Sequence, residues 1–579
     1  MSLTLPKEMR SFKFDRLCSI ELNDFEVEML IPALFWLVRA NGRDRAGQSG
    51  VFANISIQDR ADRLAAHDCV KGFDTEDGHR LMDKWVRSSL IEISKVGRGR
   101  QGEQIKYVRP LSFLSYKPAL NASSKLRQTH YFLYHLCRDY IKRRGKAKPD
   151  DFDKYVRNAF ATGLAPLADG SEKRDKYDGE TPLDLEILLQ IFYLDGFAAP
   201  KEKISNTREP HSPPCFRAAS HFARDFTTFL EVYSGLGLSP AVLTRYLICL
   251  LNFEFLIYTL RLAKATNRLV QQNERPAEFE YPGENATPLE LYADLTKIRG
   301  SRSDQLANAC VNRDMEEWES YFRSSLTLRT LHRYVENISE LQSELEGLEN
   351  GPYIAALYGL KEHPDILTYA RIELGIIKKP FSEEIGTSAP PEAQAILDNK
   401  EFSALKKVVE LMALAQHKNV MKGLIAWFGD VGGKDRSDGI LCGNTKGRRV
   451  WRYVMSDTLL ETLVQLAAID PEVRERSDNR IKGPITPGEI SLTAFLDFLA
   501  SRFGLLIDTP PTFDQSVEAT AAAKENYAAL KQRLQQMGMF PDMSDDFNMQ
   551  RITPRFCTET ERERAVVSYT MSVNERASI

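Results

Sequence analysis

The sequence has few of the residue spacings on which chemistry is usually built. Its eight cysteines, Cys18, Cys69, Cys137, Cys215, Cys249, Cys310, Cys442 and Cys557, are scattered singly, with no CxxC pair and no closely spaced Cys/His set. That scatter excludes a zinc finger or a disulfide framework and fits reduced thiols in a cytoplasmic protein. The nine histidines form no HExxH, and His130 and His135 are five apart, off the i, i+4 interval that puts two ligands on one helix face. No GxSxG elbow for acyl transfer is present. The glycines at 429–433 precede Lys434, but Phe428 stands where a phosphate loop requires its first glycine and Asp435 where it requires a hydroxyl, so a surface turn is expected. Asp365 and Glu373 hint at a restriction-type nuclease, yet the Glu-x-Lys half of that motif is replaced by Glu373-Leu374-Gly375. The first ten residues lack the apolar core of a secretion signal, and no apolar run approaches the roughly 20 residues of a membrane span. The most apolar stretch, 246–258, is interrupted by Asn252 and Glu254 and reads as a buried helix.

Charge of one sign is also missing. Acids number 80 and bases 77, a net charge of −3, which excludes a chain that coats nucleic acid by bulk electrostatics. Any such contact must be local. A hydrophobic content of 43% with 27% charged residues is that of a globular protein. At 579 residues the chain is too long for a single core and is expected to form about three or four packed units.

What is present is concentrated in residues 57–110. Residues 57–66 and 74–89 show helical spacing of apolar side chains, with Asp74 or Thr75 placed to cap the second helix. On that helix Leu81, Met82 and Trp85 form the expected inward stripe, while Arg80, Lys84 and Arg87, spaced i, i+4, i+7, share an outward face. Residues 90–96 and 103–108 then alternate apolar and polar on either side of a glycine-rich turn at 97–102. Helix, helix, hairpin in that order is the outline of a winged helix-turn-helix. From Lys84 to Arg109 there are seven bases and two acids, a local excess of five in a chain that is acidic as a whole. Arg98 and Arg100 at the tip, with Lys95 and Lys106 beside them, suit the capture of DNA phosphates, because guanidinium forks match phosphate and glycine permits close approach. Arg80, Lys84 and Arg87 would set orientation. Asp74, Glu76, Asp77 and Asp83 oppose phosphate, so contact is expected through the wing and the Arg80/Lys84/Arg87 face rather than by base reading from the helix N-terminus. A winged helix that contacts only protein stays open on the same residues.

From residue 121 the pattern changes to long helices at 126–144, 151–162, 182–193, 214–233, 240–267 and 288–298, broken by polar or proline-rich stretches at 166–180, 198–213, 271–284 and 380–391. No repeat period is visible. Residues 317–348 read as a helical hairpin packed within this body, without the sustained heptads of a coiled coil. A helix at 402–428, a strand pair around 440–442 and 450–454, a helix at 457–468 capped by Ser456 and another at 492–503 follow, then an alanine-rich helix at 515–537 ended by Gly538. Lys446, Arg448, Arg449 and Arg452, beside Trp451, form a second basic site. The bases Lys142, Arg143, Arg144, Lys146 and Lys148 close a helix, where the macrodipole favours cations without any ligand. The expected fold is mainly α, with a winged-helix domain at 1–120, a helical body at 121–390, an α+β unit at 391–510 whose element order allows a second winged helix, and a terminal helix and tail at 511–579.

The N-terminal winged helix, the helical body and the runs at 452–467 (RYVMSDTLLETLVQLA) and 492–504 (LTAFLDFLASRFG) together resemble bacterial accessory proteins of phage-defence islands. These belong to methylation-associated and phosphorothioation-dependent systems and accompany a large ATPase of the FtsK/HerA type. The resemblance implies a non-enzymatic cytoplasmic adaptor, with double-stranded DNA and such an ATPase as partners, and it supplies no catalytic residue, metal site or cofactor. Two other readings remain: a scaffold whose winged helices touch only protein, and a divergent metal-dependent nuclease.

Overall fold

Apolar periodicity becomes helix over most of the chain, and the strands are only two to five residues long. The computed structural model describes residues 5–43, 57–94, 104–109, 112–117, 124–144, 150–164, 177–195, 211–280, 288–381, 389–444, 447–477, 485–541 and 550–557. Within them the protein is mainly α. Two units are distinguished, one formed by Phe25–Pro210 and Ala223–Leu251, the other by Met1–Asp24, His211–Phe222 and Asn252–Ile579.

In the first of these, α1 (Val27–Arg39) is apolar on nearly every side and buried along its length. Its Phe35 ring lies 4.8 Å from Phe160 and 5.5 Å from Phe113, and Trp36 lies 6.0 Å from Tyr116. Full burial of rings of this size contributes about 1.5–3 kcal/mol each, which makes this cluster the anchor of the unit. Next, α2 (Ile57–Ala65) buries Ile57, Ala61, Leu64 and Ala65. The helix α3 (Glu76–Trp85) packs on it and is capped by Thr75, whose hydroxyl accepts from the Gly78 amide at 3.1 Å. A Cβ at Gly78 would stand 2.6 Å from the Phe73 backbone, so glycine alone lets the preceding loop fold back over this turn. One π-helical turn, Val86–Leu90, then leads into β1 (Ile91–Ser94), which pairs antiparallel with β2 (Gln104–Val108). Ile91 and Val108 face each other and are both buried, and a bulge falls between Glu92 and Ile93.

The inward stripe of α3 differs from the sequence expectation. Met82 is buried as expected, but Leu81 is 58% exposed and Trp85 only half-buried. The buried line runs Gly78, Met82, Val86, Leu90, with Gly78 set close against the Phe73 backbone, and Leu81 lies off this line in solvent.

Four further helices follow in chain order: α4 (Thr129–Arg143), α5 (Asp150–Phe160), α6 (Leu185–Asp195) and α7 (Phe216–Gly235). Arg138 on α4 bonds Asp153 on α5 at 2.6 Å and the Tyr134 hydroxyl at 2.7 Å. The buried Gln190 side chain on α6 accepts from the Ser112 amide at 3.1 Å and so holds the 3-10 turn Phe113–Tyr116. His135 is half-buried among Tyr131 and Tyr134, and burial, with Arg138 close by, lowers it to about 4, so it is a neutral packing residue near pH 7.

The helix α8 (Pro240–Gln271) is long and apolar enough to span a membrane by length and composition, but 78% of its most apolar window is buried inside the protein. In the second unit α9 (Arg302–Val335), α10 (Ser339–Leu345), α11 (Asn350–Gly359), α12 (Pro364–Lys378), α13 (Pro391–Asp398) and α14 (Ala404–Val431) follow β3 (Leu291–Tyr292). The long helices α9 and α14 pack along each other as its spine. A polar ladder joins α8 to α9: Asn267 donates to the Glu317 carbonyl at 2.9 Å, and Ser324 donates to Asn267 at 2.9 Å. The turn between α9 and α10 is the helical hairpin expected at 317–348.

The strand pair expected near 440 and 452 forms as β4 (Leu441–Cys442) against β5 (Arg452–Tyr453), and Ser456 caps α15 (Asp457–Ala468). After α16 (Pro471–Arg476) and β6 (Ile490–Ser491), α17 (Leu492–Phe498) continues through a π turn to β7 (Leu505–Leu506). The last elements are α18 (Val517–Gln536) and β8 (Arg551–Ile552), which pairs with β6. The helix expected at 288–298 is absent. Residues 289–295 are extended: β3 pairs in parallel with β7, and Asp294 bridges to Val454. Leu291, Tyr292, Ala293, Asp294 and Leu295 are all buried, and a short apolar run buried on both faces has no periodicity that separates strand from helix. Asn526 on α18 completes the strand by accepting from Leu295 N at 2.7 Å and donating to the carbonyls of Ala293 and Ile507, each at 2.9 Å.

Candidate nucleic-acid interface

The outward side of α3 carries three of the expected cations, and they are not equivalent. Arg80 is exposed, with Asp77 3.5 Å away in a solvated pair that contributes little to stability. Lys84 is exposed and has no acid partner among the described residues. Arg87 is engaged by Asp83, one turn back, through two contacts of 2.9 Å from Nε. The acids opposing phosphate, Asp74, Glu76 and Asp77, are exposed at the start of the same helix. Their carboxylates favour the positive end of the helix dipole, which accounts for their place without reference to a ligand.

At the foot of the hairpin Arg109 is consumed internally. It pairs with Glu92, donates to the Tyr107 hydroxyl at 3.0 Å and lies over the Tyr107 ring. Lys106 belongs to β2. Lys95, Arg98 and Arg100 lie outside the described residues, as does Lys446 of the second basic site.

The remaining residues of that second site divide sharply. Arg448 and Arg449 are exposed on a 3-10 turn, Arg448–Val450, and have no ion-pair partner among the described residues. Arg452 is buried in β5 and forms an ion pair of 2.5 Å with Asp304 on α9. Asn308, one turn further along α9, donates to the carbonyls of Arg449 and Trp451 at 2.7 and 2.6 Å. Nothing in the sequence near 450 signals this partner 141 residues away.

The other motifs settle into structural roles. Lys434 contacts Asp435 at 2.6 Å and sits 5.4 Å from the Trp451 ring centre, so the glycine cluster is a turn closed around a tryptophan. A Cβ at Gly433, where φ is +57°, would meet Gly439 Cα at 2.6 Å. Glu373 is buried and engaged by Arg333 and the Tyr334 hydroxyl, whereas Asp365 stands exposed at the start of the same helix, about 12 Å away along its axis. Arg143, at the end of α4, pairs with Asp139 at 2.8 Å, and Lys142 and Arg144 are exposed there. Lys146 and Lys148 are outside the described residues. All eight cysteines are free thiols, five of them buried. Among the described residues no group of three His, Cys, Asp or Glu side chains could hold a metal ion.

The structure is thus that of a mainly helical protein with exposed basic residues on a helix face of one unit and on a turn of the other. Over residues 7–556 the sequence matches the family described as methylation-associated defense system protein MAD7, and the chain belongs to that family. It is therefore an accessory protein of phage defence, as the resemblance implied. No curated relative and no solved structure matches the chain.

Proposed function

We propose that this protein is a non-enzymatic, cytoplasmic DNA-binding adaptor of its methylation-associated defence system, holding double-stranded DNA for a partner ATPase or nuclease. The observation that carries this reading is the succession α2, α3, hairpin, with Arg80 and Lys84 exposed on α3 and a hairpin whose sequence is strongly basic. Supporting it is the disposition of a winged helix, in which a helix and the wing beside it approach the duplex together. Arg98, Arg100, Lys95 and Lys106 capture phosphates, and Arg80 and Lys84 orient the module. Arg87 contributes once DNA displaces Asp83. Affinity then falls steeply with salt through counterion release.

The test is fluorescence anisotropy of the full chain on a mixed-sequence duplex across a salt series, with Arg98→Ala/Arg100→Ala beside the wild type. The expected result is a tenfold or larger loss at low salt and a log–log salt slope smaller by about 2. Equal affinity in the two proteins defeats the reading. A protein-only scaffold is the second reading, and Leu81 favours it: an apolar side chain 58% exposed at the middle of α3 suits a protein contact better than a phosphate. The scaffold predicts that Leu81→Asp abolishes a complex with another component of the same system while duplex retention is nil from the outset.

A further inference from the structure

The turn at 447–451 is built with more care than a solvated loop requires. Trp451 is buried beneath it, stacked at 25° on Phe428, and its indole N–H donates to the Asn444 carbonyl at 3.0 Å. Gly443 packs so closely that a Cβ there would stand 2.5 Å from the indole. From the other side Asn308 grips the carbonyls of Arg449 and Trp451. The turn's backbone is held at the Arg449 and Trp451 carbonyls, yet the side chains at its crest, Arg448, Arg449 and Val450, are left in solvent.

Among the described residues, three other cations of this segment each have an acid partner. Lys434 contacts Asp435, Arg436 contacts Asp438 at 3.1 Å, and Arg452 contacts Asp304. Arg448 and Arg449 therefore remain as adjacent guanidinium groups without an acid among the described residues. Because the turn's backbone is already fixed, only the side-chain rotamers of the two arginines remain to be ordered when each takes an anionic oxygen. The crest has one apolar side chain, Val450 at 47% exposure, and no aromatic anchor. A folded protein partner is held by such anchors, whereas a polyanion is held by charge.

We propose that this turn is a second contact for the sugar–phosphate backbone of a nucleic acid, made by the Arg448 and Arg449 guanidinium groups, with Asn308 as the positioning residue. It stands on residues of the other unit and does not depend on the helix–hairpin contact proposed above.

The experiment is anisotropy of the full chain on the same duplex across a potassium chloride series, with Arg448→Ala/Arg449→Ala, Arg448→Lys/Arg449→Lys, Asn308→Ala and Arg98→Ala/Arg100→Ala in parallel. The double alanine is expected to weaken binding about fivefold or more and to reduce the log–log slope by about 2, with an unchanged melting midpoint. The double lysine restores the slope but not the full affinity. Asn308→Ala lowers affinity while keeping the wild-type slope, since it removes no charge. Unchanged affinity and slope in the double alanine overturn the proposal, even if Arg98→Ala/Arg100→Ala has lost binding. The reverse pattern supports it and removes the hairpin instead. Retention by immobilised polyglutamate but not by duplex also overturns it and assigns the turn to an acidic protein.

Discussion

The basic face of α3 and the basic turn at 447–451 are built from the same residue types, yet they expose their charge in opposite ways. On α3 the cations alternate with acids of their own helix, so Arg80 shares Asp77 and Arg87 is held by Asp83. On the turn, the neighbouring arginine is withdrawn by a partner distant in sequence, Asp304, and the two at the crest are left open. Counting bases along a sequence measures neither arrangement. What matters for binding is which guanidinium groups already have carboxylates, and in β5 that was decided by an acid 148 residues earlier.

The largest effect expected from breaking this contrast is at Arg452. Arg452→Ala leaves the mostly buried Asp304 carboxylate without its cation, with only the Gly300 amide donating to it among the described residues, and should cost about 3 kcal/mol in chemical denaturation while leaving the salt slope for duplex binding unchanged. If its slope falls as in the crest variants, the distinction between the withdrawn arginine and the exposed pair is wrong. A smaller effect is expected where α9 meets β5. Burial raises the Asp314 carboxyl to about 6, although the Tyr453 hydroxyl donates to it at 2.6 Å. Because the folded value lies above the ordinary 3.8, the stability contributed by the neutral acid is complete below that pH and is lost as pH rises through about 6. Asp314→Asn keeps an acceptor for Tyr453 and should flatten the dependence of melting temperature on pH between about 4 and 6, with a gain on the order of 1 kcal/mol at pH 7.5. A curve superimposable on the wild type would show that Asp314 is not the titrating group. The smallest change is at α3, where Asp83→Ala removes the carboxylate that engages Arg87 Nε and should tighten duplex binding about twofold with a stability loss near 0.5 kcal/mol. Weaker binding would mean that the Asp83 contact holds Arg87 in its working position.

Much of the architecture was legible in advance because local rules governed it. Ser456 begins α15 and Thr75 caps α3, since a hydroxyl before a helix satisfies an otherwise open amide. The long helix α14 and the β4–β5 pair followed from periodicity and turn residues. The failures share a cause. Residues 288–298 looked helical because a run buried on all sides has no phase, and their strand exists only where β7 and Asn526 supply hydrogen bonds from more than two hundred residues away. Spacing alone puts Leu81 beside Met82, while the buried line of the folded helix follows Gly78, Met82, Val86 and Leu90 instead. Within the basic sites, the sequence located Arg80, Lys84, Arg448 and Arg449 as exposed cations, but it could not separate Arg452 from them or identify Asn308.

The sequence by itself determined where capped helices such as α3 and α15 begin, that the charge excess is local and that the chain carries the pattern of its defence family, because each of these depends on neighbours within a few turns. On the turn at 447–451 the tertiary structure alone decided which arginines are available to a ligand. A guanidinium beside a buried carboxylate is already satisfied, and the carboxylate that satisfies it can come from any part of the chain.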